Sequence, residues 1–533
     1  MATNSIRRAT AVLASGTLIS RVLGFGRQWL LVQAIGTTGF VTDAFQTANS
    51  TPNTIYAIIS QGVLNAVLIP QIVRAAKHRD GGQSYINKLV TLGMVVFAAV
   101  TLIATLLSPA LMHLFGVHSS TFELAVLFAY WSMPQVFFYG LYSLLGEVLN
   151  ARNSFGPFTW APVLNNVISI ASLVVFIVLY GQHGVSDDSS WSALKVFILA
   201  GGATLGIVAQ AVVLFFFWRH VGLTFKFDFV WRGMELRSVG KTAGWTFAML
   251  LCTQLAGAYQ TFVGNSASGP NRVGPTGLAT TWLIFMLPFS IIAVSVVTAY
   301  FTRMAEHARD DDMGAFRGDY SAAVRAIVLS ISICAAVLIV TAFSFSRVFT
   351  AKDYLAYGYV LIAFLVGLVP SVVGFVSLRA LYALGDTRSP FIYTFVQACV
   401  VALGLSVCLA LPLDIRAIGI ALTVSIAGTV QTALSMVFLR RRLHGLNLDQ
   451  VFRSIAQGGA AAFAATAVGV VALLGTNWLN GRGDFSVASP FTAIASMIVV
   501  GLVMLAVYVA VLRAMRVAEV ADALASVRRR LGR

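Results

Sequence analysis

Two arginines stand where a membrane helix does not ordinarily hold charge. The stretch 15–36, SGTLISRVLGFGRQWLLVQAIG, is long and apolar enough to cross a bilayer, yet it carries Arg21 and Arg27 near its middle. An arginine at membrane depth costs roughly 2.5–3.5 kcal/mol on insertion scales and persists where it faces protein, water or an anionic ligand. The alternative is an ordinary first helix whose arginines snorkel to an interface. Arg8 marks the expected cytoplasmic edge, and Arg21 lies about 20 Å beyond it at 1.5 Å per residue, deep for snorkelling. Gly24 and Gly26 sit between the two charges and are expected to loosen the helix as hinges, the way transporters open backbone and aim charge at a site near the bilayer midplane.

The second apolar stretch, 41–73, is also unlike a plain membrane helix: Asp43 enters it, Pro52 and Asn53 interrupt it, and Gln61 and Pro70 follow. Polar groups and freed backbone are tolerated at membrane depth only where they face protein or a water-filled cavity. Asp43 and Asn53 are therefore expected on a cavity wall with Pro52 as a hinge, whereas Pro70 reads as a packing kink.

These residues must be carried by membrane-crossing elements, because the composition permits little else. Of 533 residues, 58% are hydrophobic and 11% charged, against about 25% charged in soluble domains. The net charge of +16 is spread among short loops between apolar runs and never gathers into a basic domain. That pattern fits membrane orientation and anionic lipid headgroups rather than nucleic acid. Cys252, Cys334, Cys399 and Cys408 lie in apolar spans without metal-ligand or redox spacing, and read as packing residues.

Apolar runs of about 18 residues or more number about fourteen, which predicts an all-α polytopic membrane protein. Lys and Arg alternate between loops: Arg7, Arg8, Arg74, Lys77, Arg79, Arg152, Arg388, Arg440, Arg441 and Arg442 fall on one side, and few, among them Arg272, Arg347 and Arg416, on the other. By the positive-inside rule both termini are cytoplasmic. The run GTTGFVTDAF at 36–45 recurs in outline six spans later as GPTGLATTWL at 274–283. Halves offset by an even number of spans share an orientation, as in parallel-repeat transporters. The expected organisation is an N-terminal six-helix lobe at 1–220, a C-terminal six-helix lobe at 221–445, an appended helix pair at 446–515 and a basic cytoplasmic tail at 516–533. The repeat places Thr280 and Thr281 opposite Asp43 across a central cavity.

No phosphate-cradling GxxxxGK[ST] loop, HExxH or GxSxG motif is present in the sequence, and the loops are too short for an enzyme domain. No catalytic residue, cofactor or metal site is nominated, and what is left is binding and translocation.

The stretches SGTLISRVLGFGRQ (15–28), TDAFQTANSTPN (42–53), LNARNSFGPFTWAPVLNN (149–166) and RALYALGDTRSP (379–390), in that order within about fourteen spans, resemble the MurJ/MviN lipid II flippases of the multidrug/oligosaccharidyl-lipid/polysaccharide exporter superfamily. The resemblance implies a V-shaped pair of six-helix lobes around a cationic cavity, with the last two helices forming a groove for a polyprenyl tail. It implies a bacterial inner-membrane protein of cell-wall biogenesis that passes the lipid-linked peptidoglycan precursor outward by alternating access. Arg21 and Arg27 would grip its pyrophosphate, since a planar guanidinium binds phosphate oxygens bidentately. Asp43 would pair with one of them or with a gating group, and Asn53, Gln61 and Thr281 would complete the substrate-binding set.

This chain departs from the family pattern in having Gln28 and Gln61 where acids are common, Tyr56-Ala57 in place of a basic pair, and Thr281, Trp282 and Leu283 near an expected arginine. The cavity it predicts is thus thinly charged. Two other readings stand beside the flippase. One is an exporter of another polyprenyl-pyrophosphate glycan or of a drug; the other is a transport-inactive scaffold for cell-wall synthesis or division proteins. The expected partners are a polyprenyl-pyrophosphate-linked substrate and anionic lipids, with ion coupling unassigned.

Overall fold

A computed structural model describes residues 2–60, 82–152, 154–182, 191–230, 241–443, 445, 448–481, 483–517 and 519. Among these residues every regular element is helical. With no water in the hydrocarbon to answer open N–H and C=O groups, helices that bond their own backbone are one of two solutions available to a spanning chain.

The principal helices are α1 (Ala2–Ile35), α2 (Phe40–Ile59), α3 (Gln83–Leu106), α4 (Ser108–Leu114), α5 (Phe122–Ser132), α6 (Gln135–Ala151), α7 (Phe155–Tyr180), α8 (Gly202–Trp218), α9 (Lys241–Asn265) and α10 (Pro275–Pro288). They continue as α11 (Val294–Arg309), α12 (Met313–Val340), α13 (Ala342–Phe349), α14 (Tyr354–Leu365), α15 (Leu368–Ala383), α16 (Arg388–Leu409), α17 (Leu413–Arg442), α18 (Leu448–Asn477) and α19 (Pro490–Ala514). Among the described residues, eleven helical stretches are long and apolar enough to cross a membrane. The expected first, second and seventh spans are not among these eleven; their described parts include the helices α1, α2 and α9, of 34, 20 and 25 residues.

The chain divides into two compact units, Met1–Pro270 with Gly274–Thr276, and Asn271–Val273 with Gly277–Arg533. Each contains the same series of elements. In the first, long α3 is followed by short α4 and then by one span split into α5 and α6; in the second, α12, α13 and the pair α14 and α15 repeat the order. Both splits have a proline nearby, Pro134 ahead of α6 and Pro370 in the first turn of α15. A proline lacks the N–H that would bond the carbonyl four residues back, so it opens the helix there.

Hydroxyls from neighbouring helices answer backbone carbonyls beside both openings. Thr204 on α8 donates to the Trp131 carbonyl at 2.7 Å. In the second unit, Ser425 on α17 donates to the Ala363 and Phe364 carbonyls at 2.7 and 3.0 Å, and Thr432 to the Pro370 carbonyl at 2.8 Å. Gly367 makes the approach possible, because a Cβ there would lie 2.8 Å from the Ser425 Cα.

Aromatic packing fills the first unit. Phe45 meets Phe128 edge to face at 5.3 Å, and Phe128 meets Trp191 at 5.2 Å. In the second unit α18 and α19 pack on α12 through Leu329, Ala336, Ala461, Ala465, Val500 and Met504. Tyr508 on α19 donates to the Leu329 carbonyl at 2.7 Å. Beyond α19, Glu519 pairs with Arg325 at 3.0 Å, holding the start of the basic tail against α12.

Ser425→Ala leaves the two carbonyls without their hydroxyl and is expected to cost about 0.6–1.7 kcal/mol, the range of interhelical hydrogen bonds in membranes. Thermal unfolding of the purified protein in detergent measures it. Ser406→Ala, which removes an exposed hydroxyl bonded to the Ala402 carbonyl of its own helix, is expected to leave the melting temperature unchanged.

Candidate functional site

The arginine-bearing helix α1 runs without interruption through Gly24 and Gly26, so the loosening expected there is absent from this conformation. A glycine weakens a helix by about 1 kcal/mol relative to alanine, too little to release backbone groups into hydrocarbon. Gly24 sits instead against α7, where a Cβ would stand 3.9 Å from the Asn166 amide. That amide donates to the Ser20 carbonyl at 2.9 Å and its nitrogen lies 3.3 Å from the Ser20 hydroxyl. A Cβ at Gly26 would meet nothing within 4 Å.

Arg21 lies on the exposed face of α1 with Leu18 and Val22. Arg27, about 9 Å further along the axis at 1.5 Å per residue, is half-buried. Among the described residues neither guanidinium has an acidic group within ion-pair distance. Arg27 is instead within charge range of Tyr139 on α6.

Like α1, α2 is continuous, and Pro52 lies within it. Asp43, in its first turn, is 1% exposed. Its Oδ1 accepts the Thr276 backbone N–H at 2.9 Å, and the Thr276 hydroxyl donates to the Thr42 carbonyl at 3.0 Å. A Cβ at Gly274 would overlap Asp43 Oδ2. The carboxylate is thus occupied in pinning the 274–276 segment to α2, and makes no ion pair with Arg21 or Arg27. Asn53 is exposed on α2, with Tyr56 one turn beyond. Gln61 lies outside the described residues. Thr281, on α10 in the second unit, is fully buried and donates to the Gly277 carbonyl of its own helix at 2.8 Å.

The first unit also holds polar groups that the expected site omitted, several of them, Tyr142 included, bonded within the fold. The Tyr56 and Tyr139 rings lie 5.6 Å apart. Tyr142 stacks on Phe158 at 4.8 Å and donates to the Phe158 carbonyl at 2.9 Å. Asn165 donates to Gln210 at 2.9 Å and accepts from Ser169 at 3.3 Å. Gln135 donates to Asn49 at 3.1 Å and to Thr204 at 2.9 Å. Gln135, Tyr139 and Tyr142 are spaced four and three apart, the interval that lines one face of a helix. That polar stripe in the run QVFFYGLY was the available signal. Among the described residues, no three His, Cys, Asp or Glu side chains converge as metal ligands.

Residues 31–487 match the family described as lipid II flippase MurJ. The chain belongs to the MurJ family. A probable lipid II flippase MurJ from Rickettsia prowazekii is 24% identical over 456 residues, covering 83% of this chain and 85% of the relative. The fold is similar to that of a solved lipid II flippase MurJ in an inward closed conformation, with a TM-score of 0.72 at 18% identity over 95% of this chain and 99% of that one. It is similar also to an inward-facing multidrug resistance MATE family transporter of the MOP superfamily, with a TM-score of 0.63 at 15% identity over 80% and 94% of the two chains. The MurJ-family chain is therefore a multi-pass membrane protein whose first helix carries a half-buried arginine, Arg27, near the Tyr139 phenol.

If Asp43 is a structural pin, Gly274→Ala drives a methyl into its carboxylate and is expected to destabilise by about 1–3 kcal/mol, the cost of overpacking. Asp43→Asn keeps an oxygen for the Thr276 N–H and is expected to cost less than Asp43→Ala. Melting temperatures of the three purified variants give the order.

Proposed function

We propose that this chain is a flippase that carries lipid II, the lipid-linked peptidoglycan precursor, from the inner to the outer leaflet of a bacterial cytoplasmic membrane. Both termini face the cytoplasm, and the cargo is moved unchanged. Transport proceeds by alternating access between two six-helix lobes, with the pyrophosphate held in the first. The observation that carries the reading is Arg27: a half-buried guanidinium without an acidic partner among the described residues, in a chain of the MurJ family.

A guanidinium kept at membrane depth is expensive unless an anion meets it, and a pyrophosphate supplies oxygens matched to its fork of donors. Arg21, on the exposed face of the same helix, is the second contact, met as the headgroup enters or leaves. Asn53, exposed beyond Pro52 on α2, faces the glycan, and Gln61 is a further substrate contact. Gly24, Gly26 and Pro52 are the points at which α1 and α2 bend during the cycle. A head with two negative charges moving outward is favoured by an inside-negative potential, at about 2.3 kcal/mol per charge per 100 mV across the full field. The basic composition of the tail suits contact with anionic lipid, and cell-wall synthesis proteins are the further partners of this reading.

A drug exporter for cations fits less well. The carboxylate best placed to attract such cargo, Asp43, is committed to Thr276, and an arginine without an acidic partner among the described residues repels a cation.

Expression in a bacterium depleted of its own flippase tests the reading. The wild-type chain is expected to restore growth and outer-leaflet exposure of the precursor. Arg27→Ala is expected to abolish both at unchanged protein level, and Arg27→Lys to recover only part, because a point charge replaces a bidentate fork. Full activity of Arg27→Ala would sink the anion-binding assignment and favour a scaffold.

A further inference from the structure

We infer that Tyr139 and Tyr56 complete the anion site with Arg27, their hydroxyls donating to phosphate oxygens that a single guanidinium leaves unanswered. This rests on the flippase reading and goes beyond it by naming the neutral half of the site.

Three observations converge on the pair. Tyr139 is within charge range of Arg27, and Tyr56 within charge range of both Tyr139 and Tyr142. The Tyr56 and Tyr139 rings lie 5.6 Å apart with their planes tilted by 33°, so α2 and α6 each present one phenol to the same region of the first unit. The third observation is the contrast with Tyr142. Its hydroxyl is spent on the Phe158 carbonyl at 2.9 Å and its ring is stacked on Phe158. Among the described residues, the Tyr56 and Tyr139 hydroxyls make no hydrogen bond, so both are available to a ligand.

The chemistry favours phenols here. A pyrophosphate diester carries two charges and many acceptor oxygens, more than one guanidinium can satisfy. A second buried arginine would supply donors at a large desolvation cost in the empty state. A phenol donates to an anionic oxygen with a charge-assisted bond and is neutral when the ligand is gone. Its ring stays rigid on two torsions, so little conformational freedom is lost on binding.

The test uses the full chain purified into lipid nanodiscs and two defined probes, farnesyl pyrophosphate and farnesyl monophosphate, with dissociation constants measured by calorimetry. Tyr139→Phe is expected to weaken pyrophosphate binding about tenfold, the worth of one hydrogen bond to a charged group, and Tyr56→Phe about threefold or more. Monophosphate binding, whose fewer oxygens Arg27 can satisfy, is expected to change less than threefold in either variant. Tyr142→Phe is the comparator: it removes an internal hydrogen bond and is expected to lower the melting temperature while leaving both affinities unchanged.

Pyrophosphate binding by Tyr139→Phe within twofold of wild type, with Arg27→Ala losing both probes, would overturn the tyrosine assignment and leave the Arg27 reading standing. Equal losses in Tyr139→Phe and Tyr142→Phe, each with a lowered melting temperature, would assign the tyrosines to packing and overturn it as well. Undiminished binding of both probes by Arg27→Ala would remove the anion site itself, and with it the proposed function.

Discussion

The structure depends on one constraint: inside a hydrocarbon layer, every backbone group or polar side chain that leaves its own helix must be met by another part of the protein. The two split spans show how it is met. Pro134 and Pro370 each open a helix, and Thr204 and Ser425, on helices six spans apart in the order of the chain, close the accounts of neighbouring carbonyls. The same constraint binds α1 to α7, where Asn166 reaches the Ser20 carbonyl. It also binds α2 to the 274–276 segment, where Asp43 takes the Thr276 N–H. Polar residues buried in these helices are therefore structural first, and a functional role belongs to those left without such an assignment.

That sorting explains which expectations hold and which change. Hydropathy located the spans because burial in lipid is a property of whole runs of residues, visible without knowing the fold. The polar residues of α1 and α2 likewise stand out in the sequence and mark helices that need a partner other than lipid. Side-chain roles were less legible. Asp43 and Gly24 stand out by residue type, yet the partner of Asp43, the Thr276 N–H, and the neighbour of Gly24, Asn166, are both far away in sequence. Tyr139 and Tyr142 passed unnoticed, since an aromatic residue in an apolar run reads as ordinary core until a neighbouring helix shows which face it turns inward.

Once the committed groups are set aside, the first unit holds a particular balance of charge. Its deepest carboxylate, Asp43, is locked into the fold, whereas Arg27 keeps a guanidinium without an acidic partner among the described residues. Had the two been paired, the net local charge would vanish and the pair would serve only to hold helices together, at a desolvation cost that often exceeds its attraction. Separated, they do different work: Asp43 fixes the end of α2, and Arg27 leaves positive charge near the Tyr139 phenol. The amide chains Asn165 with Gln210 and Gln135 with Asn49 and Thr204 add polar groups to the same unit without adding charge.

A thinly charged site also suits a carrier better than a strongly charged one. A transporter gains nothing from a ligand it cannot release, and equal tightening at every stage of the cycle only slows the last step. With one principal arginine and neutral donors around it, affinity depends on geometry: a phenol or amide contributes when an oxygen sits within about 3 Å of it and very little once the helices shift. Multiple buried arginines would hold a dianion by long-range attraction that a small displacement of α1 against α6 scarcely weakens. Under the proposed function, hydroxyls rather than further charges beside Arg27 would make binding sensitive to small helix movements, so that a conformational change, rather than a chemical step, sets the cargo free.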